Sequence, residues 1–341
     1  MLLRNHWYVA CPSSQLAASM PKAVQVGDLD LVLFRDALGA ANALLDRCCH
    51  RGVKLSLGRI TGGHIACGYH GWQYDGAGNL VHVPSLTAGE ELPSCSTPTF
   101  PVVEKDFYVW VWIAGESKAP THQPAVLGIG NRHWIQQTGH WKANIMDAVE
   151  NQLDVAHTAF SHPGIYPGHG TEDGIVPPLR QVEAECGIVN GGVELHLPPA
   201  SSAAEKPRPW HELSIWARFE LPYRNYVFLV REKTLAVYNW VPLADGTCRL
   251  EFMATRYDPD IEAAYTAPRA TFQDTELKLL SQDRILLESA KPWIDRGRRE
   301  FERSVPQDFP QLLARRLHRA AVQGRLGELE FDQRRVFAAM A

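Results

Sequence analysis

Apolar and polar residues alternate at short intervals over residues 1–116, a pattern that is typical of β-strands joined by turns. Residues 24–26 and 29–34 are rich in β-branched and aromatic side chains, and a Gly-Asp turn signal separates them. Residues 74–80 contain two glycines and predict a hairpin turn, and the continuous apolar run at 108–113 predicts a strand covered on both faces. Because no helical period persists here, the sequence predicts an all-β first domain.

Residues 117–341 combine strand patterns with helical ones. Six apolar runs, separated mostly by hairpin-sized gaps, predict an antiparallel sheet. They lie near 180–189, 193–197, 211–220, 225–231, 234–242 and 247–257. Helical spacing occurs at about 144–160 and 267–290, and the tail holds a further Arg-rich helix whose charges we expect to be solvated.

The chain therefore has the pattern of a two-domain α+β protein. We predict an N-terminal all-β domain over 1–116 and a weakly patterned, Pro-containing linker near 115–124. The second domain, 117–341, is predicted to contain an antiparallel β-sheet flanked by helices. A length of 341 residues is sufficient for two domains with sizeable cores.

Composition and charge narrow the class of protein. An apolar content of 45% and a charged content of 21% are those of a soluble globular protein. A net charge of −4 argues against nucleic acid as a partner. The N-terminal sequence has no secretory signal pattern, and no apolar run is long enough to span a membrane. Seven cysteines without framework spacing favour a reducing compartment and metal chemistry over disulfides, so we expect a cytoplasmic protein.

Two cysteines and two histidines form a pair of short motifs, Cys48-x-His50 and Cys67-x-x-His70. These donors suit tetrahedral zinc, and they equally suit a Rieske [2Fe–2S] centre, in which two thiolates bind one iron and two imidazoles the other. Zinc fingers usually place like ligands together, whereas each motif here mixes Cys with His, which favours the Rieske interpretation over zinc. A glycine after each histidine suits tight loops around a cluster. Cys49, beside a ligand, is expected to be a buried bystander, and a redox-active thiol is the alternative.

The stretch 147–162 concentrates carboxylates together with His157 and His162. On the predicted helix, Asp154 and His157 are three residues apart and share a face. His162 precedes Pro163, so the helix should end there and allow the second imidazole to turn back toward the first. Two imidazoles need one further carboxylate to form the facial triad of a non-haem Fe(II) site. A capped helix with ordinary surface histidines is the alternative.

Asp283 is the candidate for the missing carboxylate. In the predicted helix 267–290 it recurs at spacings of three and four with leucine and alanine residues. It therefore lies on the apolar face, where an unpaired carboxylate is costly and a bound metal removes the cost. Asp274, Glu276 and Glu288 are the rivals on this helix, and each is expected to be exposed to solvent.

Both regions resemble the Rieske non-haem iron oxygenases. Cys-x-His-Arg-Gly, followed by Cys-x-Tyr-His-Gly-Trp-x-Tyr-Asp-x-x-Gly, is similar to their Rieske domain, and Glu-Asn-x-x-Asp-x-x-His-x-x-x-x-His over 150–162 is similar to their iron-binding motif. Cys49 and Gly68 stand where the family often has Pro, but neither is a ligand position. The length of the chain is most like that of the catalytic (alpha) subunits of the single-subunit monooxygenases and demethylases, such as the vanillate and dicamba demethylases and the toluenesulfonate methyl-monooxygenases.

The resemblance implies two cofactors, a [2Fe–2S] Rieske cluster and a mononuclear Fe(II). It assigns the cluster to Cys48, His50, Cys67 and His70, the iron to His157, His162 and Asp283, and catalytic positions to Asp154 and Asn151. Asp154 would bridge an iron ligand and, across a subunit boundary, His70 of a neighbour, which implies a homotrimer. Glu150 is expected to be structural.

By the same resemblance, the chain is expected to be a terminal oxygenase component. It would use O2 and electrons from a ferredoxin or an NAD(P)H-dependent reductase to hydroxylate, or O- or N-demethylate, a small aromatic or cyclic substrate. No Gly-x-Gly-x-x-Gly pattern follows a predicted strand, in agreement with a separate reductase. A ring cis-dihydroxylating dioxygenase and a Rieske electron carrier are the alternatives. Six aromatic residues of the predicted strands can face either core or substrate pocket: Trp216, Phe219, Tyr226, Phe228, Tyr238 and Trp240.

Overall fold

The computed structural model describes residues 2–115, 120–124, 134–163, 181–197, 215–229, 234–256, 269–290, 302–329 and 333–340. The chain divides into two compact units. The first is Met1–Gly130 with Val241–Asp245, and the second is Asn131–Trp240 with Gly246–Ala341. The boundary predicted between residues 116 and 117, and part of the predicted linker, lie outside the described residues, so this boundary stays a prediction.

The first unit is built from three small antiparallel sheets. Its strands are β1 (His6–Pro12), β2 (Lys22–Val26), β3 (Leu29–Arg35), β4 (Ala41–Leu45), β5 (Arg59–Thr61), β6 (His64–Ala66), β7 (Gln73–Tyr74), β8 (Leu80–His82), β9 (Thr99–Phe100), β10 (Val102–Lys105) and β11 (Tyr108–Ile113). Their order is β1-β11-β10, β2-β3-β4-β9 and β5-β6-β7-β8. Apart from single 3-10 turns at Ser13–Gln15 and Leu55–Leu57, the described part of this unit has no helix, which confirms the predicted all-β first domain.

Strand β11 is the strand that the sequence predicted to be covered on both faces. All of its six residues are buried. It pairs with β1 on one side and with β10 on the other. Its aromatic and β-branched side chains are those that pack best on a pleated surface, so local preference and burial agree.

A tight turn joins β7 to β8, as the sequence predicted for residues 74–80. The backbone N–H of Asn79 donates to Asp75 Oδ1 at 2.8 Å, and Gly78 adopts a φ of +77°. A Cβ atom at Gly78 would lie 2.1 Å from the carbonyl oxygen of Thr97. Both the turn and the close approach of a neighbouring chain segment therefore require glycine at this position.

The second unit contains one eight-stranded sheet. Its strands are β12 (Ile135–Trp141), β13 (Gln181–Val189), β14 (Gly192–Leu197), β15 (Ile215–Glu220), β16 (Arg224–Leu229), β17 (Thr234–Pro242), β18 (Cys248–Arg256) and β19 (Gln333–Met340). Their order is β12-β18-β17-β16-β15-β14-β13-β19. A strand is present at each of the six runs predicted between residues 180 and 257, and the antiparallel hairpins among them confirm the predicted sheet.

Four α-helices are described, all in the second unit: α1 (Ile145–Asn151), α2 (Thr158–Ser161), α3 (Arg269–Ser289) and α4 (Phe309–Val322). Helices α3 and α4 confirm the two later helical patterns. The prediction of one continuous helix over 144–160 is wrong, because turns at 152–157 separate α1 from α2. The backbone N–H of His157 donates to Asp154 Oδ1 at 3.3 Å, and this local side-chain bond takes the place of a helical backbone bond. None of the described helices has the length and apolar character needed to cross a membrane.

The tail departs from the sequence prediction in two ways. The sequence predicts an Arg-rich helix and no strand in the tail, but strand β19 pairs with β13 along its full length, and Arg334 forms ion pairs with Glu185 and Glu194. On α4, Arg315 was expected to be solvated, but it contacts the buried Glu150 through two hydrogen bonds of 2.6 and 2.5 Å. Tail residues form β19 because their backbone pairs with β13, and Arg315 is held by an acidic partner that is distant in sequence.

The turn glycine provides a stability test with a matched control. Gly78→Ala forces a left-handed residue with a Cβ onto a backbone carbonyl, and we expect it to lower the free energy of unfolding by about 2 kcal/mol or more. Gly39 has a similar φ of +82° but open space around its Cβ position. Gly39→Ala should therefore cost only the conformational term, about 1 kcal/mol. Urea unfolding of both variants, followed by tryptophan fluorescence, tests this, and equal losses would contradict the proposed close contact.

Candidate metal centres

Two loops of the first unit present the Cys and His motifs, and they share one backbone pattern. In each loop the amide of the cysteine donates to the carbonyl five residues later, at 2.8 Å from Cys48 and 2.9 Å from Cys67. The amide of the following glycine donates back to the carbonyl of the cysteine, at 2.9 Å from Gly52 and 3.0 Å from Gly71. These glycines have φ values of +73° and +74°, a conformation that other residues adopt only with strain. The glycine after each histidine thus closes a ligand loop.

The four side chains of these motifs come together with the thiols inside and the imidazoles outside. Cys48 and Cys67 are each 2% exposed, whereas His50 is half-buried and His70 is exposed. The ring centroids of the two imidazoles are 4.7 Å apart. Burial, together with the neighbouring Cys48 thiol, raises the pKa of Cys67. Cys67 therefore favours the neutral thiol unless a cation takes the place of the proton.

Three aromatic side chains surround this cluster of ligands. Trp72 stacks on His50 with ring centroids 4.3 Å apart, and Tyr69 lies against His70 at 3.8 Å. The hydroxyl of buried Tyr74 is 3.0 Å from Cys48 Sγ. If Cys48 is a thiolate, only the Tyr74 hydroxyl can be the donor in this contact.

This set of residues fits a Rieske cluster. It supplies two sulfur and two nitrogen donors, which is the ligand set of that cluster. Nδ1 of His50 is buried and has no hydrogen-bond partner within the described part of the chain. A buried polar atom without a partner is unusual and agrees with a nitrogen directed at a metal. The hydroxyl at Cys48 matches the hydrogen bonds to sulfur that set cluster potentials.

One expectation about the cysteines is wrong. Cys49 was expected to be a bystander and the chain to favour free thiols, but Cys49 forms a disulfide with Cys95. The two are 46 residues apart, so no local spacing indicates the pairing. Strand β4 pairs antiparallel with β9, with Leu44 opposite Thr99. The Leu45 amide continues this pairing to the Pro98 carbonyl at 2.8 Å, and the disulfide joins the two segments a few residues further along.

The second candidate site lies in the second unit. His157 follows the turn after α1, His162 ends α2, and Asp283 projects from α3. Asp283 Oδ1 is 3.4 Å from His157 Nε2 and 3.2 Å from His162 Nε2. One ligand atom from each side chain lies within 4.8 Å of the other two. His162 and Asp283 are buried, at 3% and 6% exposure. The structure thus brings together the three residues that the sequence proposed as iron ligands.

The charges of this site favour a bound cation. Burial alone would raise the pKa of Asp283, but the imidazoles of His157 and His162 outweigh it and lower the pKa to about 2. Asp283 Oδ1 and both ring nitrogens of His157 are buried without a hydrogen-bond partner among the described residues. Two imidazoles and one carboxylate on one side of a cavity form the facial set that suits non-haem Fe(II).

Each imidazole has a further polar side chain behind it. His162 Nδ1 is 3.0 Å from Gln282 Oε1, so the ring donates there and keeps Nε2 free of its proton. His157 Nδ1 lies 3.9 Å from Asp154 Oδ2, although the two residues do not share the helical face predicted for them. The sequence analysis assigned no role to Gln282. Its position one residue before the candidate ligand was the available signal.

The rival carboxylates of α3 behave differently from one another. Asp274 is exposed, as expected. Glu288 is half-buried and accepts hydrogen bonds from the Lys142 backbone at 2.8 Å and from Arg284 at 2.9 Å. The expectation for Glu276 is wrong, because it is only 5% exposed. It lies seven residues, or two helical turns, before Asp283 and so shares its buried face.

A cavity of about 110 Å³ opens beside the three candidate iron ligands. One wall is apolar and comes from the sheet: Ile215, Ala217, Val227, Leu229 and Ala236. Polar groups of Asn151, Gln152, Tyr238 and Glu276 also line it. Of the six aromatic residues proposed for core or pocket, Tyr238 is the one among the described lining residues. Nδ2 of Asn151 is buried without a hydrogen-bond partner in the described residues.

Comparison with protein families matches both parts of the chain. Residues 6–101 match the Rieske [2Fe-2S] domain, and residues 141–324 match the vanillate O-demethylase oxygenase C-terminal domain. The second match covers more than half of the chain. Each match contains one of the two candidate centres.

Individual relatives agree with the family matches. The chain is 36% identical over 168 residues to a putative toluene-4-sulfonate monooxygenase system iron-sulfur subunit, TsaM2, of Comamonas testosteroni, covering 48% of this chain and 47% of that one. It is 34% identical over 169 residues to the oxygenase component of dicamba O-demethylase of Stenotrophomonas maltophilia, covering 47% and 48%. The chain thus spans about half the length of the curated relatives that it matches.

The fold is also shared with a solved structure. Dicamba monooxygenase bound to 3,6-dichlorosalicylic acid superposes with a TM-score of 0.73 at 22% identity, covering 94% of this chain and 97% of the other. The family matches and the shared fold agree with the two donor sets described above, and on these grounds the chain belongs to the Rieske non-haem iron oxygenases, with a Rieske domain followed by a catalytic domain of the vanillate O-demethylase type.

Proposed function

We propose that this chain is the terminal oxygenase component of a monooxygenase system that hydroxylates a small organic substrate. The observation that supports it best is the buried set of His157, His162 and Asp283 at the wall of a cavity, in a chain that also holds a Cys and His cluster site. A Rieske electron carrier has no use for a second metal site with its own cavity. Demethylation is the special case in which the attacked carbon is a methyl group on oxygen or nitrogen.

The proposal gives each group of residues a role. Cys48, His50, Cys67 and His70 hold the [2Fe–2S] cluster, and His157, His162 and Asp283 hold Fe(II). With both groups bound, electrons received one at a time and O2 activated at the iron supply the chemistry that inserts one oxygen atom into a C–H bond and releases the other as water. We place the start of the catalytic domain at residue 117.

The residues around the proposed iron site prepare it for this chemistry. Gln282 fixes the tautomer of His162, and Asp154 contacts the backbone and the ring of His157. All three candidate ligands approach from one side, which leaves the cavity side open for O2 and substrate. Asn151 lines the cavity with a buried amide, and we propose that it acts near the iron.

The cavity supports a small, aromatic or cyclic substrate. Its aliphatic wall comes from strands β15 to β17 and offers an apolar surface on which a ring can pack. The polar groups of Glu276 and Tyr238 lie on the same cavity and can orient a hydrogen-bonding substituent. Burial and the charges of Glu276 and Asp283 raise the pKa of Tyr238, so its hydroxyl keeps its proton and can donate.

Electron delivery is proposed to involve other chains. A ferredoxin or an NAD(P)H-dependent reductase would reduce the cluster, because the sequence has no dinucleotide-binding fingerprint. We also propose a homotrimer, in which Asp154 of one subunit contacts His70 of a neighbour. Both side chains are accessible enough for such a contact: Asp154 is 35% exposed, and His70 is exposed. The proposed location is the cytoplasm, without nucleic acid or membrane as partner.

Isotope incorporation distinguishes this proposal from its alternatives. The holoenzyme, a surrogate reductase and methoxy- or N-methyl-substituted aromatic compounds are supplied with 18O2. One labelled oxygen in the hydroxylated product, or formaldehyde release from a methyl group, is the expected result. Two labelled oxygens on adjacent ring carbons would instead support a cis-dihydroxylating dioxygenase.

The variant His157→Ala tests the alternative that this chain is a Rieske electron carrier. It removes one candidate iron ligand from the second unit and none from the cluster loops. We expect turnover to be lost while the visible absorption and circular dichroism of the cluster stay unchanged. Turnover that survives this substitution would contradict the proposed iron site.

Removal of the Tyr74 hydroxyl is expected to shift the reduction potential of the cluster. Its hydrogen bond to Cys48 stabilises negative charge on sulfur and therefore favours the reduced cluster. Tyr74→Phe should lower the midpoint potential, measured by redox titration of the circular dichroism signal. Trp72→Phe keeps a stacked ring on His50 and serves as the control. An unchanged potential in Tyr74→Phe would contradict the assigned hydrogen bond.

Substitution of Gln282 is expected to change the affinity of the site for Fe(II). Gln282→Ala removes the acceptor of His162, and affinity for Fe(II) should fall by about 10- to 100-fold. Gln282→Glu retains an acceptor and should restore most of the affinity. Ser281→Ala, at the exposed neighbouring position, is the control and should have no effect. Equal Fe(II) affinities of the wild type and Gln282→Ala, measured by competition with a chelator, would contradict this role.

A further inference from the structure

The disulfide between Cys49 and Cys95 encloses most of the proposed cluster site. Cys49 is the residue after Cys48, and the loop closed by the bond contains the other three candidate ligands. Since the two sulfurs are 46 residues apart in sequence, the bond links both ligand loops into one covalent ring. Nothing in the mechanism proposed above uses this bond.

The disulfide lies at the end of a short series of hydrogen bonds between residues 45–47 and residues 97–98. Next to it, the Leu45 amide donates to the Pro98 carbonyl at 2.8 Å, and Thr97 Oγ1 donates to the carbonyls of Leu45 and Arg47 at 3.2 and 3.1 Å. The disulfide is the next connection between the same two chain segments, and its Cys49 directly follows the candidate ligand Cys48. It therefore holds the first ligand loop beyond the hydrogen bonds of Leu45 and Thr97.

Cys95 lies where a reductant can approach. Cys49 and Cys95 are both half-buried, and residues 87–94, which lead to Cys95, are exposed. The buried thiols of Cys11 and Cys186 contrast with this setting.

The Tyr74 hydroxyl contacts both the disulfide and the proposed cluster ligand Cys48. Tyr74 Oη lies 3.0 Å from Cys48 Sγ, 3.2 Å from Cys49 Sγ and 3.2 Å from the Cys49 amide nitrogen. A disulfide sulfur carries no proton and can only accept, whereas a Cys49 thiol can donate to Tyr74 Oη. Opening the bond thus changes the hydrogen bonding of the group that contacts Cys48.

We propose that Cys49–Cys95 is a redox-cleavable brace of the cluster-binding loops, and this rests on the proposed cluster site. A dithiol reductant opens it in two exchanges. Its first thiol sulfur bonds to Cys95 and displaces Cys49, which takes up a proton. Its second thiol then displaces Cys95, which also takes up a proton, and the reductant leaves as a disulfide. Two electrons and two protons pass to the protein, and the open form holds the cluster less tightly.

Thiol mapping and cluster loss on the holoenzyme test this proposal. In protein oxidised under air, differential alkylation and mass spectrometry should find a linked Cys49–Cys95 peptide, and after dithiothreitol two alkylated thiols. Cluster loss to an Fe(II) chelator, followed by visible circular dichroism, should be about tenfold faster after dithiothreitol and in Cys95→Ala. Cys186→Ala, a buried free cysteine of β13, is the control and should match the wild type.

The dithiothreitol-treated wild type and the Cys95→Ala variant serve as controls for each other. Dithiothreitol should not accelerate cluster loss further in Cys95→Ala, because no bond remains to be cleaved. Alkylation of both cysteines as free thiols in oxidised protein would overturn the proposal, and so would equal rates of cluster loss in all forms. A mapped disulfide in protein that binds no cluster would overturn the proposed function as well, so the two failures are distinguishable.

Discussion

The position of Asp283 between two imidazoles is the constraint on which the second unit depends. A carboxylate on the buried face of a helix is unfavourable unless positive charge or hydrogen bonds compensate for lost water. His157 and His162 provide that compensation, and they reach Asp283 only because the chain turns twice between α1 and α2. Helix α3, the turn at residues 152–157 and the apolar wall of the cavity are thus positioned around one buried charge.

The first unit also buries donor atoms for a metal, but it holds them on loops instead of on a helix. Two buried thiols are placed side by side by loops whose backbones are closed by glycines of positive φ. Their imidazole partners lie nearer the surface, where electrons can enter. In both units a polar side chain behind the donors, Tyr74 in one and Gln282 in the other, refines the site. The grouped donor atoms suit a cation, and these outer contacts adjust its binding.

Much of this arrangement could be predicted from the sequence, because local pattern determines it. Alternation located the strands, the Cys and His motifs indicated one site, and the apolar face around Asp283 indicated the third ligand of the other. Most of the differences involve partners distant in sequence, whereas the break in the predicted helix arises from a bond between two residues that are three apart. Asp154 interrupts the predicted helix by bonding to the His157 backbone, and Glu276 is buried against a cavity that no local pattern reveals. The charges of β19 find acidic partners on β13 and β14, and Cys95 reaches Cys49 only through the pairing of β4 with β9.

The central claim is that one chain holds both a Rieske cluster and a separate iron, and metal analysis tests it most directly. Iron, acid-labile sulfide and zinc are measured per chain in anaerobically purified protein. We expect about three irons and about two sulfides per chain. Zinc without sulfide would contradict the account of both centres.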